Sequence, residues 1–132
     1  MVMSHWTVAK VQIKNPNMDL LKKALQIIAK ELNVNKVVEN YVVHGYRHSQ
    51  QCQLAIPIRL KYGNGYGVHI DKHGNVNVVV DDHGAPLSSQ QFANKLVQYY
   101  TALAIMQLAP QLGFQVSQVN ELEKGIMIDL VR

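Results

Sequence analysis

The stretch Tyr62–Gly84 reads YGNGYGVHIDKHGNVNVVVDDHG and predicts the β-hairpin on which the fold depends. A three-residue loop, His73-Gly74-Asn75, places glycine at the position where a hairpin loop requires a positive φ. The cross-strand pairs that follow from this loop are Lys72 with Val76, Ile70 with Val78, and Val68 with Val80. The chain before the hairpin then forms one half of the fold, and the chain after it forms a second half.

The predicted register separates an apolar face from a polar face, because side chains alternate along a strand. The apolar face carries Tyr66, Val68, Ile70, Val76, Val78 and Val80. The opposite face carries His69, Asp71, Asn77, Val79 and Asp81. A two-residue loop would place apolar and polar residues on both faces, so we prefer the three-residue loop.

Hydrophobic periodicity and capping signals predict the order β-α-β-β followed by β-β-α-β-β. The first half comprises a strand at His5–Lys14, a helix from Asn15-Pro16 to about Asn33, an extended segment at Asn35–Tyr46, a loop at Arg47–Gln53 and a strand at Leu54–Tyr62. After the hairpin come a helix capped by Ser88 and Gln91 and closed by Pro110 and Gly113, then strands at Phe114–Val119 and Gly125–Val131. The two halves are similar in order, which predicts a pseudo-symmetric arrangement.

This order predicts a single domain, residues 1–132, of the α+β class. Both helices are amphipathic, so we expect them on one face of a largely antiparallel sheet of six to seven strands, in a two-layer sandwich. The other sheet face would then be partly open. Pro57 has no N–H to donate to a neighbouring strand, so it predicts an edge strand or a bulge.

The composition is that of a folded protein, with 48% apolar and 17% charged residues and a formal net charge of +4. The basic residues are scattered, which permits contact with nucleic acid without requiring it. Cys52 is the single cysteine, so no internal disulfide forms, and its polar surroundings predict a surface thiol. Neither a signal peptide nor a membrane-length apolar window is present, so we expect a cytoplasmic protein with no membrane partner.

The open sheet face and the chain leading into the hairpin provide a candidate binding surface. Its residues are Arg59, Lys61, Tyr62, Tyr66, His69, Asp71 and Asp81. The sequence contains no recognisable set of catalytic residues. The leading hypothesis is therefore a non-enzymatic protein-binding or assembly module with an unidentified protein partner. We expect no cofactor, and the sequence leaves enzymatic activity and homo-oligomerisation open.

Two alternatives come from the same part of the chain. The first is a metal-dependent protein or small enzyme that uses a His/Asp cluster, since these side chains ligate metals when three or four converge. That cluster would consist of His69, Asp71, Asp81 and His83. The second is a nucleic-acid-binding protein that uses the tyrosines together with Lys10, Lys14, Arg59 and Lys61.

Several stretches resemble the hypothetical chloroplast reading frame thirty-five family. They are the opening Met3-Ser4-His5-Trp6-Thr7, the helix Leu20–Leu25, the segment Tyr41–Tyr46 and the tail Leu112–Val116. The resemblance follows nearly the whole chain in order, and the histidine-rich middle and Pro110 depart from the family pattern. It implies a small conserved protein of cyanobacteria, plastids and other microbes, with a domain of unknown function and no agreed activity or cofactor. His5 lies in the opening motif, and on this basis alone it is a candidate functional residue; the alternative is a core histidine that forms a hydrogen bond with neighbouring backbone.

Overall fold

The computed structural model describes residues 4–122 and 125–132. Its elements follow the predicted order of helices and strands, with one additional 3-10 turn. They are β1 (Trp6–Lys14), α1 (Met18–Glu31), β2 (Val38–His44), β3 (Ser49–Pro57), β4 (Gly65–Ile70), β5 (Asn75–Asp81), α2 (Ser89–Leu108), the 3-10 turn (Ala109–Leu112), β6 (Gln115–Leu122) and β7 (Gly125–Val131). None of the helices in these ranges is long and apolar enough to cross a membrane.

The predicted α+β class is confirmed, with two helices and antiparallel strand pairing throughout. The seven strands lie in two sheets rather than one: a five-stranded sheet in the order β1-β5-β4-β3-β2, and the separate pair β6-β7. Helix α2 accounts for the division, because it packs on β1 and β5 and also on β7. The terminal hairpin therefore covers α2 instead of extending the sheet.

Local signals set the helix ends. Asn17, rather than Asn15, is the N-cap of α1, and its side chain accepts a hydrogen bond from the Leu20 N–H. The predicted capping box between Ser88 and Gln91 is present at the start of α2. Gly113, with φ +82°, ends the 3-10 turn in the left-handed region that glycine adopts without strain.

The central hairpin differs from the predicted register by two residues. Ile70 pairs with Val76, and the loop is Lys72-His73-Gly74, with Gly74 at φ +82°. An even shift keeps every side chain on its predicted face, because the strand period is two. The apolar face is therefore the one that packs beneath the helices, with Tyr66 and Val78 among its fully buried residues.

Strand β3 corrects two predictions. Residues 49–53 form its first half, so the loop predicted at Arg47–Gln53 is mostly strand. The strand ends at Pro57, where the missing N–H costs no interior ladder bond, and it lies inside the sheet between β2 and β4. Arg59 and Lys61 consequently lie in the connection from β3 to β4, and not on the outer sheet face.

The outer face of the sheet is less open than predicted, because the β2-β3 hairpin curls over it. Strand β2 contacts β4 and β5, although β3 separates them in the hydrogen-bonded order. A second cluster, with Val43 and Val79 fully buried, lies beneath this hairpin. Gly67 permits the close approach, since an added Cβ would lie 2.5 Å from the Cys52 Sγ. Cys52 is therefore a buried thiol and not a surface one, and burial raises its pKa to about 11.

Candidate functional site

Four segments that are distant in the sequence meet at one end of the five-stranded sheet. They are the start of β1, the turn between β2 and β3, the connection from β3 to β4, and the residues that follow β5. We call the group of side chains that they present the aromatic surface. Its members are His5, Trp6, Tyr46, Arg47, His48, Lys61, Tyr62 and His83.

Ring contacts connect the members of the aromatic surface. The Trp6 ring stacks on His48 with centroids 5.5 Å apart and an interplanar angle of 12°. Tyr62 meets the edge of Tyr46 at 6.3 Å and lies 5.6 Å from the His83 ring. Such aromatic pairs each contribute about 0.5–1.5 kcal/mol beyond the area they bury, so the rings hold one another in place.

Two basic side chains lie over the tyrosines. The Arg47 Cζ is 5.3 Å from the Tyr46 ring centroid, and the Lys61 Nζ is 5.6 Å from the Tyr62 ring centroid. Both separations fall within the range of a cation–π contact. The surface therefore combines aromatic area with fixed positive charge.

A buried carboxylate supports the aromatic surface from below. Asp81 is 1% exposed, and its Oδ1 accepts a hydrogen bond of 2.8 Å from the His5 N–H. Its Oδ2 accepts a longer one, 3.4 Å, from the Tyr46 N–H. Gly45 makes this approach possible, because a Cβ there would lie 2.7 Å from the Asp81 Oδ2 and 2.9 Å from the Trp6 ring. Asp81 thereby joins the start of β1 to the turn between β2 and β3.

The neighbouring Asp82 orients His5. Its Oδ1 lies 2.5 Å from the His5 Nδ1, and its Oδ2 accepts a hydrogen bond of 2.6 Å from the Ser89 N–H at the start of α2. Burial raises the pKa of Asp82, but the hydrogen bonds from Ser89 and His5 outweigh it, and the pKa is lowered overall. The carboxylate is therefore charged at neutral pH and holds the His5 ring by its Nδ1 side.

The contacts of His5 show which groups lie within reach of its ring. The Asp82 carboxylate holds the Nδ1 of His5, and over residues 4–122 and 125–132 the Nε2 makes no hydrogen bond within the chain. In residues 4–122 and 125–132, no serine, threonine or cysteine side chain forms a hydrogen bond with His5. Over the same residues, no group of three His, Cys, Asp or Glu side chains has a geometry that could hold a metal ion.

The structure brings together some of the residues predicted from sequence. Lys61, Tyr62 and His83 lie in the aromatic surface beside His5, and Asp81 lies buried beneath it. Tyr66 was expected on the surface and is instead fully buried. Its ring stacks on Phe92, and its hydroxyl donates to the Leu87 C=O and accepts from the Leu87 N–H.

The remaining predicted surface residues lie elsewhere. Arg59 lines a different depression, beside Tyr41 and Pro57. The His69 ring contacts the Gln51 carbonyl, with the Nδ1 3.0 Å from that oxygen. Asp71 lies in the hairpin turn, where hydrogen bonds from the Asn75 backbone and side chain lower its pKa.

The predicted metal set is therefore not assembled. His69 pairs with Asn77, and Asp81 lies four residues further along β5, or about 13 Å at strand spacing. Asp71 lies at the turn, at the opposite end of the hairpin from Asp81 and His83. The predicted basic set is also divided, because Lys14 lies eight residues from Trp6 along β1, about 26 Å away.

Sequence reasoning missed five residues of the site, namely Trp6, Tyr46, Arg47, His48 and Asp82. A signal was present, since histidine lies within two residues of an aromatic or acidic residue in HW, HGYRH and DDHG, each near the end of a strand. Strand ends meet at sheet edges, so this recurrence could have placed the three segments together.

A family model described as "Protein of unknown function (DUF1257)" matches residues 28–131. The match includes Tyr46, Arg47, Lys61, Tyr62 and His83, whereas His5 and Trp6 precede it. It confirms the resemblance to a family of unknown function that the sequence motifs indicated. No curated protein and no solved structure matches the chain.

Proposed function

We propose that this chain, which belongs to the DUF1257 family of unknown function, is a non-enzymatic protein-binding module. The aromatic surface is the binding site, and an acidic segment of a partner protein is the ligand. The observation that carries the proposal is the grouping of Trp6, Tyr46, Tyr62 and Arg47 at one end of the sheet. Tryptophan, tyrosine and arginine are the residues most enriched at the energetic centres of protein interfaces.

The positive charge of the aromatic surface favours a partner with an acidic segment. Arg47 and Lys61 carry its formal charges, and both are positive. The nearby carboxylates of Asp81 and Asp82 are largely buried and accept hydrogen bonds from backbone N–H groups, and Asp82 also from His5. A surface with exposed cations and covered carboxylates favours an acidic segment, because opposite charges steer the encounter and exclude basic partners.

Hydrogen bonds also join the segments of the aromatic surface to one another before binding. Asp81 holds the β2-β3 turn to the start of β1, and the Gly45 N–H donates to the His48 C=O within the turn. The Asn64 side chain accepts from the His44 N–H and donates to the Val42 C=O, which ties β2 to the β3-β4 connection. A preorganised surface loses little conformational entropy on binding, and more of the contact energy appears as affinity.

The ring packing favours a protein partner over a nucleic acid. One face of each aromatic ring is already occupied by a side chain of this chain: His48 on Trp6, Arg47 on Tyr46, and Lys61 on Tyr62. Platforms for single-stranded nucleic acid present open ring faces on which bases stack. The surface instead resembles a set of protein-interface anchors surrounded by basic side chains.

The test is a pull-down from the native host with and without nuclease, using the wild-type chain, Arg47→Ala and Arg59→Ala. Arg59 is the matched control, since it is an exposed arginine outside the aromatic surface. We expect one stoichiometric protein to be retained by the wild type and by Arg59→Ala, to survive nuclease, and to fall at least tenfold with Arg47→Ala.

A second measurement tests the partner's charge directly, with a poly-glutamate peptide and a single-stranded oligonucleotide as probes in fluorescence anisotropy. Binding of the peptide that weakens with salt and with Arg47→Ala supports the proposal. Nuclease-sensitive recovery together with tighter oligonucleotide binding would replace it with the nucleic-acid function. Equal losses in Arg47→Ala and Arg59→Ala would show that the aromatic surface is not the site.

A further inference from the structure

A cavity between the two helices and the terminal hairpin is not used by the proposed function. Its volume is about 180 Å³, and none of the residues that line it belongs to the aromatic surface. Its walls come from α1, α2, β6 and β7. Six of its eight lining residues are apolar, namely Ile27, Ala102, Leu103, Met106, Val119 and Ile126. The other two, Tyr99 and Glu121, bring polar groups to the cavity.

The polar groups lie together at one end of the cavity. Glu121 pairs with Ile126 in the hairpin, so both side chains lie on the face that turns toward α2. On α2, Tyr99, Leu103 and Met106 lie along one side of the helix, because they are spaced i, i+4 and i+7. Seven residues of helix rise about 10 Å, which separates Tyr99 from Met106 by the length of the cavity. An apolar body with a few polar groups at one point is typical of small-molecule sites.

The polar end of the cavity lacks a hydrogen-bond donor. The Tyr99 Oη lies 2.9 Å from a Glu121 carboxylate oxygen and 2.5 Å from one of Glu31. A tyrosine hydroxyl has a single proton to donate, and the shorter separation assigns that proton to Glu31. Burial and the hydrogen bonds to both carboxylates raise the pKa of Tyr99, so the hydroxyl keeps its proton at neutral pH. The Glu121 oxygen therefore faces a lone pair of the Tyr99 Oη, and a further donor is needed there.

The charges around this end favour a cationic donor. Glu31 already has a cation, since the Lys95 Nζ lies 3.1 Å from the carboxylate oxygen that Tyr99 does not contact. Within residues 4–122 and 125–132, no lysine, arginine or histidine forms a salt bridge with Glu121. Two carboxylates and one lysine leave a net negative charge. A cation that donates hydrogen bonds neutralises this charge and also supplies the missing donor.

We propose that the cavity binds a small primary amine whose apolar body is a single ring or a short alkyl chain. The ammonium group donates to Glu121 and to the Tyr99 Oη, and the apolar body contacts the other walls. The volume limits the size of the ligand, because a protein cavity of about 150 Å³ holds one benzene molecule. Ile27 is 37% exposed and Val119 is 46% exposed, so the cavity opens to solvent between α1 and β6 and the amine enters there.

The width of the cavity favours a free amine with a ring over a lysine side chain from a partner protein. The stem of lysine is a single file of methylene groups, so it would leave part of the apolar wall without contacts. A ring fills more of the same space. Benzylamine, which joins one ring to an ammonium group through one methylene, is therefore the probe.

The experiment titrates benzylamine into the full chain and follows the methyl groups by ¹³C-methyl NMR. Benzyl alcohol and benzoate are the matched ligands, since they share the ring but are neutral and negatively charged. We expect saturable shifts at Ile27, Leu103 and Ile126, which line the cavity. Because the contact with Glu121 is charge-assisted, benzylamine should bind about tenfold or more tightly than either of the other two.

Two variants separate the charge from the location. Glu121→Gln keeps the size of the side chain and removes its charge, so it should weaken benzylamine about tenfold or more and change benzyl alcohol much less. Glu39→Gln is the matched control, because Glu39 is an exposed glutamate on β2, in the other sheet. Val119→Phe places a larger side chain in the cavity and should weaken both ligands. The NMR spectra verify that each variant folds.

Four results would overturn the proposal. The first is the absence of saturable shifts at the lining methyl groups, and the second is binding of benzoate as tight as that of benzylamine. The third is a Glu121→Gln variant that binds benzylamine as the wild type does. The fourth is a shift confined to Trp6, which would place the amine on the aromatic surface. Tighter binding of Nα-acetyl-lysine amide than of benzylamine would replace the free amine with a lysine of a partner protein.

Discussion

Replacing Asp81 tests whether a buried carboxylate joins the fold to the aromatic surface. Asp81 is 1% exposed, and it accepts hydrogen bonds from the His5 N–H at 2.8 Å and the Tyr46 N–H at 3.4 Å. In Asp81→Ala both N–H groups lose their acceptor. Both N–H groups are partly buried, a donor left without a partner costs about 1–3 kcal/mol, and the longer bond contributes less, so we expect a loss of about 3 kcal/mol in the free energy of unfolding.

Asp81→Asn tests an intermediate case, because it keeps one acceptor oxygen and removes the charge. The amide keeps one oxygen, which can still accept from the His5 N–H, but its NH₂ group faces the Tyr46 N–H. The loss of charge also weakens the bond that remains. We therefore expect a cost of about 1–2 kcal/mol, between those of the wild type and Asp81→Ala.

Urea unfolding measures both variants, with Asp19→Ala as the control. Asp19 is a surface residue of α1 that pairs with Lys23, and such exposed pairs contribute only about 0.5 kcal/mol. With an m-value of about 2 kcal/mol/M, the alanine variant moves the midpoint down by about 1.5 M. Trp6 is the single tryptophan and stacks on the turn that Asp81 holds, so native Asp81→Ala is also expected to change its fluorescence. A change below about 1 kcal/mol, or equal costs for alanine and asparagine, would refute the reasoning.

Three further predictions concern other buried groups. Tyr66→Phe should lower the free energy of unfolding by about 2–4 kcal/mol in denaturant titrations, because both Leu87 backbone groups lose their hydroxyl partner, and a cost below 1 kcal/mol would contradict this. The Cys52 pKa is raised from 9.0 to about 11, so stability should fall as pH rises across that interval in wild type but less in Cys52→Ala, as melting temperatures will show. Asp82 has a lowered pKa, so its contribution is present above the unfolded value of about 3.9 and is lost as pH falls through the folded value. The difference in the free energy of unfolding between wild type and Asp82→Asn should therefore become smaller at acidic pH. A difference that does not depend on pH would argue against a charged Asp82.

Much of the local structure could be predicted from sequence because its causes are local. The Ser88 cap and the Gly113 stop depend on neighbouring residues, and both are present as predicted. The faces of the central hairpin were also correct, although the register differs by two residues. An even shift leaves the alternation unchanged, so the sequence specified which residues are buried better than it specified their partners.

The extent of β3 and the burial of Cys52 could not be predicted from local sequence signals. Residues 49–53 are polar, and no periodicity marks them as a strand. They are strand because β2 pairs with them along its full length, and Cys52 is buried because that hairpin curls over Gly67 and Val79. These contacts join residues far apart in the chain, and local propensity does not encode them.

The sequence alone therefore determined the α+β class, the order of the elements, the Ser88 cap and Gly113 stop, and the apolar side of the central hairpin. Each follows from a period or a capping signal within a few residues. The tertiary structure alone decided the division into two sheets, the aromatic surface and the roles of Asp81 and Tyr66. Residues 5–6, 46–48, 61–62 and 81–83 meet because of the strand order β1-β5-β4-β3-β2 and the curl of one hairpin, and that proximity is a property of packing.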